Sequence, residues 1–80
     1  MPRKVDVGEL AKELVKAMME KGMKEITITE VAALLGVGAN TASRTVAYLR
    51  LSNVLREEGG RHVLDERKAS WFLKGSSELR

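Results

Sequence analysis

Between Ile26 and Leu64 the chain sets out its elements in an order that leaves few ways to fold, because the joints between them are so short. Ile26-Thr27-Ile28 alternates apolar and polar side chains and reads as a short strand. Thr29 follows as the start signal of a helix that runs to Leu35 and is expected to bury Val31, Ala32, Leu34 and Leu35. Gly36-Val37-Gly38 then turns the chain sharply, with Gly36 where a positive φ is easiest. A second helix runs from Ala39 to about Ser52, and Asn53 is a natural left-handed stop after it. Val54-Leu55-Arg56 and Arg61-His62-Val63-Leu64 flank Glu57-Glu58-Gly59-Gly60, read as the turn of a hairpin.

The rest of the chain has to complete the core of this unit. From Asp6, a plausible cap, to about Lys21, with Gly22 as the stop, the spacing predicts a first helix. At 100° per residue Val7, Leu10, Ala11, Leu14, Ala17 and Met18 share one stripe. Val15 and Met19 widen it to nearly half the circumference, so another segment or a second subunit must cover the excess. Asp65 can cap a last helix over 66–74 that presents Ala69, Phe72 and Leu73 on one side. Trp71 and Phe72 are two of the three aromatic residues, and this tail is expected to cover the broad stripe, within the chain or across a dimer. The expected architecture is mainly α with a small β-hairpin, an α+β domain spanning 1–80. It has a three-helix core, a basic arm at 1–4, a hairpin at 54–64 and a C-terminal helix and tail at 65–80.

Composition narrows the chemistry. Eighty residues suffice for one core and not for two. With 44% hydrophobic and 31% charged residues the balance is that of a folded soluble domain. There is no cysteine and one histidine, so disulfides, thiolate sites and a histidine-rich zinc site drop out, and no cofactor is expected. No Gly-rich phosphate loop or nucleophile–histidine–acid set is present, and the apolar residues are consumed by the core; the chain reads as a non-enzyme without a small-molecule ligand. No apolar run approaches bilayer length and the first residues lack a signal peptide's apolar core, so a cytoplasmic location and no membrane partner are expected.

Charge is distributed unevenly. The net charge of +3 is modest, but no Asp or Glu occurs from Val31 through Arg56, a stretch that holds Arg44, Arg50 and Arg56. On the second helix, Ala39, Ala42, Val46 and Leu49 fall on an inward face, while Asn40, Thr41, Arg44 and Tyr48 fall opposite. Asn and Thr are mediocre helix formers, so propensity alone does not account for them there.

The stretch from Ile28 to Arg50, with its Thr-bearing start, small Ala32 and Ala33, Gly36 at the turn and Thr41-Ala42-Ser43-Arg44 early in the second helix, resembles the winged helix-turn-helix superfamily of bacterial and archaeal transcription regulators. The resemblance covers about half the chain, with the hairpin as the wing. Two departures stand out: Gly38 occupies the position where a Ser or Thr cap is usual, and the wing tip carries Glu57 and Glu58 where a basic tip is usual.

That resemblance implies a sequence-specific binder of double-stranded DNA that regulates transcription, with helix 39–52 in the major groove and the wing near the backbone. Arg44 suits guanine and Asn40 suits adenine, while Thr41 and Ser43 suit register-fixing phosphate contacts; Tyr48 completes the face. Arg50, Arg56 and Arg61 suit phosphates, unless Glu57, Glu58 or Asp65 pairs with them. A homodimer is expected through Val15, Met19, Trp71 and Phe72, because two-fold half-sites multiply specificity. His62 reads as an ordinary strand residue. The alternative is a winged-helix protein-interaction or assembly module without base readout, or an RNA-associated winged helix. The latter is disfavoured by the low charge.

Overall fold

The structure, a computed structural model, describes residues 6–78; the expected basic arm at 1–4 lies outside them. The elements are α1 (Val7–Lys21), β1 (Glu25–Ile26), α2 (Ile28–Leu35), α3 (Ala39–Leu51), β2 (Leu55–Glu58), β3 (Arg61–Leu64) and α4 (Glu66–Glu78). The architecture is mainly helical with one three-stranded antiparallel sheet, ordered β1-β3-β2. Among the described residues no helix is long and apolar enough to cross a membrane.

Helix α1 is closed at both ends by the residues its sequence offers. The Asp6 carboxylate accepts from the amides of Gly8 at 3.0 Å and Glu9 at 3.4 Å, and Gly22 turns the chain with φ +69°. Ala11, Leu14, Val15 and Met18 are fully buried. Val15 is thus part of the chain's own core and cannot serve as dimer surface; α3 and α4 both pack on α1 and take up the broad stripe from within the chain.

The start of α2 differs from the sequence expectation. The strand ends at Ile26, Thr27 is the helix cap, and Ile28 and Thr29 already lie inside the helix. Thr27 Oγ1 accepts from the Glu30 amide at 3.2 Å while Glu30 Oε1 accepts from the Thr27 amide at 3.0 Å. This capping box satisfies two donors at once, which Thr29 in its position could not do. Thr27→Ala is therefore expected to cost about 1 kcal/mol. Thr29→Ala, at an exposed helical position, should stay within about 0.5 kcal/mol; paired urea titrations of the two variants check the assignment. Only Val31 of α2 is fully buried; Ala32, Leu34 and Leu35 are half-buried at the margin of the core.

Gly36 adopts φ +67°, and the Val37 amide reaches back to the Ala32 carbonyl at 3.0 Å, so only three residues separate α2 from α3. Helix α3 buries Ala42, Thr45, Val46 and Leu49. Ala39, expected to face inward, is exposed because the first turn of α3 projects past the core, and Thr45 points inward instead. Burial of the Thr45 hydroxyl is tolerated because it donates to the Thr41 carbonyl at 2.8 Å. Asn53 closes the helix with φ +64°.

Glu57 and Glu58 belong to strand β2 rather than to the hairpin turn. The turn is Gly59-Gly60 alone, with φ +56° and +82°, the pair of positive values that a two-residue hairpin with the right twist requires. Register pairs Leu55 with Leu64, Glu57 with His62 and Ile26 with His62. One face of the sheet thus turns Ile26, Leu55 and Leu64 to the core, and the other carries Glu25, Arg56, Glu58, Arg61 and Val63.

Asp65 starts α4, its carboxylate accepting from the Lys68 amide at 3.0 Å. The helix runs past the expected Lys74 to Glu78. Ala69 is fully buried, and Phe72 and Leu73 pack against the core. The hydrogen bond from Lys68, helped by the positive charges of Lys68 and Arg56, holds the Asp65 carboxyl below its ordinary value of 3.8. A carboxylate with a lowered folded pKa contributes stability above its unfolded pKa and loses that contribution as pH falls through the folded value. Asp65→Asn keeps a cap without the titration. The stability difference between wild type and this variant is accordingly expected to be constant above about pH 5 and to shrink toward pH 3; thermal melts across that range check it.

Candidate nucleic-acid interface

Asn40, Ser43 and Arg44 are exposed on α3, Asn40 and Arg44 on the face opposite Ala42, Val46 and Leu49 and Ser43 at the edge of that face. Asn40, Arg44, Ala47 and Leu51 stand at helical spacings of four, three and four residues and form one straight stripe, about 16 Å long at 1.5 Å per residue. Leu51, 86% exposed, was not picked out by the sequence reading, yet a helical wheel places it on this stripe. Gly38 caps α3 without a side-chain bond, and no acidic residue lies in the first turn, so this positively polarised helix end has no side-chain acceptor of its own.

Thr41 and Tyr48 lie on the flank of that face. Thr41 is half-buried. Tyr48 is 41% exposed, and its ring meets Phe72 of α4 edge-to-face at 6.2 Å and 72°. Its place is at the seam of α3 and α4, not at the centre of the exposed stripe, because α4 folds back onto α1 beside it.

Arg50, Arg56 and Arg61 carry partners. Arg50 lies 3.6 Å from Glu57 and joins α3 to β2, Arg56 lies 3.2 Å from Glu58, and Arg61 lies 3.2 Å from Glu25 across β3 and β1. All six side chains are about half exposed, so each pair contributes only about 0–1 kcal/mol to stability. Their effect is on charge: the cations of the hairpin are locally neutralised, while Arg44 has no ion pair among the described residues. The Glu57 and Glu58 pairings were open to a sequence reading as an alternative; that of Arg61 with Glu25 depends on the β1–β3 register and was not. Asp65 takes no arginine and instead caps α4.

Between α3 and β2 runs an open groove of about 660 Å³, lined by Ala47, Arg50 and Leu51, by Asn53, and by Leu55, Arg56 and Glu57. His62 sits on the core face of the sheet, 7% exposed, and its Nδ1 is buried without a hydrogen-bond partner. The sequence had offered no sign of this burial, which follows from its register opposite Ile26 and Glu57. Among the described residues no group of three or more His, Asp or Glu side chains is placed to hold a metal ion.

The expected dimer residues are divided by the fold. Val15 is in the core and Phe72 is half-buried against Tyr48, while Met19 is 39% and Trp71 75% exposed. No protein-family model matches the chain, and no curated protein matches it significantly.

Proposed function

We propose that the chain is a winged helix-turn-helix protein that binds double-stranded DNA sequence-specifically and regulates transcription, with α3 in the major groove and the β2–β3 hairpin, as the wing, near the backbone. The observation that carries this reading is the exposed face of α3. Asn40, Ser43 and Arg44 project from the second helix of a pair joined by a three-residue turn, on a surface with no acidic residue between Val31 and Arg56. In this arrangement Arg44 donates to a guanine edge, Asn40 reads adenine, and Ser43, with the first-turn amides of α3, fixes the register on phosphate. Thr41 and Tyr48 support the face from its flank, and Arg50, Arg56 and Arg61 reach phosphate only by leaving their glutamates.

The protein acts as a homodimer, which places two copies of α3 on half-sites about one helical turn apart. Met19 and Trp71 supply the apolar contact, with Trp71 on the outer face of α4. Selection of duplexes from a randomised library tests the reading: a short enriched motif repeated with two-fold symmetry is expected. A pool that stays random after repeated rounds would count against base readout.

One observation favours a second reading, a winged-helix protein-interaction module. Leu51 is 86% exposed beside the groove between α3 and β2, while the arginines lining that groove are paired, a surface that also suits an apolar side chain of a partner protein. Failure to bind any duplex at low salt would make this the better description.

A further inference from the structure

The fold places a glutamate against every arginine of the hairpin and its junction with α3, while Arg44, at the centre of the α3 face, has no ion pair among the described residues. The three glutamates come from two strands: Glu57 and Glu58 are successive residues of β2, and Glu25 reaches Arg61 from β1, more than thirty positions away in the chain. Here each one spans to a cation at 3.2–3.6 Å.

Resting on the DNA-binding reading above, we infer that Glu25, Glu57 and Glu58 are specificity determinants that act by occupying Arg61, Arg50 and Arg56 and so suppress sequence-independent binding. Phosphate contacts are the part of DNA binding that ignores sequence, and each arginine that reaches a phosphate adds to affinity for any duplex. An arginine held by a glutamate gives up its partner when it turns to a phosphate, and it brings that carboxylate close to the polyanion. The gain per contact is therefore small on random DNA. On the target, contacts from Arg44 and Asn40 to base edges add free energy that random sequence does not supply. Selectivity then rests on α3, with the hairpin contributing shape and little net charge.

The test is titration of a fluorescent random-sequence duplex with wild type, with E25Q/E57Q/E58Q, and with E9Q/E13Q/E20Q. The last variant changes net charge by the same amount on exposed positions of α1. Freeing three arginines is expected to tighten random-duplex binding at least about tenfold at low salt and to steepen the salt slope by about 0.9 for each phosphate newly contacted. The α1 variant should move by less than about threefold, since its charges lie outside the contact and are screened. Aspartate at positions 25, 57 and 58 separates pairing from simple repulsion. It keeps the charge but is one methylene short of the arginines, so pairing predicts a rise part of the way to the glutamine variant.

Equal gains in the two glutamine variants, or aspartate variants indistinguishable from wild type, would overturn the inference while leaving the DNA-binding reading intact. Binding by the hairpin variant with none by wild type would support masking in its strongest form. Binding by none of the proteins at low salt would remove the DNA-binding reading, and this inference with it.

Discussion

Leu49→Ala is expected to lower the stability of the domain by about 2–5 kcal/mol. Leu49 is fully buried on the inward face of α3, the helix that packs on α1, α2 and β2, so the cavity it leaves opens where those elements meet. An 80-residue domain holds a stability near the low end of the usual range of about 5–15 kcal/mol. Each kcal/mol is worth about 4–8 °C in midpoint for a chain of this size, so a fall of about 8–40 °C follows, and part of the population unfolds at room temperature. Leu51, two residues on, is the internal comparison. It is 86% exposed, and Leu51→Ala should stay within about 0.5 kcal/mol of wild type. Thermal melts followed by circular dichroism separate the two; similar losses at both positions would contradict the orientation of α3.

Arg44→Ala is expected to act on binding and not on folding. The side chain is exposed and has no ion pair among the described residues, so its removal leaves no buried partner unsatisfied. Loss of a bidentate contact to guanine costs about 1–3 kcal/mol on the selected duplex and relaxes the preference at one base position. Random duplex should lose much less, about one unit of salt slope at most, because only a generic charge is removed. Anisotropy titrations on both duplexes decide the role. An equal loss on the two would make Arg44 a phosphate contact.

How far the sequence could be read depended on how local each feature is. The caps of α1 at Asp6 and Gly22, the turn at Gly36 and the stop at Asn53 involve neighbours within a few residues, and all are present in the structure. The cap of α2 was equally local but misread. Thr27 and Thr29 both fit a start signal, and the deciding sign was Glu30 three residues after Thr27, the spacing of a capping box. The inward face of α3 came out slightly rotated, with Thr45 inside and Ala39 outside, since composition ranks alanine as apolar while position puts it beyond the core.

Long-range features were the harder ones. Val15 and Met19 looked alike on a helical wheel, and only the docking of the other helices buries one and leaves the other exposed. The turn of Tyr48 toward Phe72 follows from where α4 lies, and the pairing of Arg61 with Glu25 from which strand neighbours β3. For the proposed interface, Asn40 and Arg44 were legible because helical period alone exposes them, whereas Thr41 and Tyr48, put on the same face by that period, lie at its flank. The hairpin cations were legible as candidates, but their neutralisation depends on register.

Titration of a random duplex at about 50 and about 200 mM salt, with the mass of the protein measured by light scattering, is the most direct test of whether this fold binds DNA. Binding at about micromolar concentration at the lower salt, a clear loss of affinity at the higher, and a dimeric mass are expected. No binding at the lower salt, by wild type and by the E25Q/E57Q/E58Q variant alike, would contradict a DNA-binding function, and a monomeric mass with salt-dependent binding would contradict the two-fold arrangement alone.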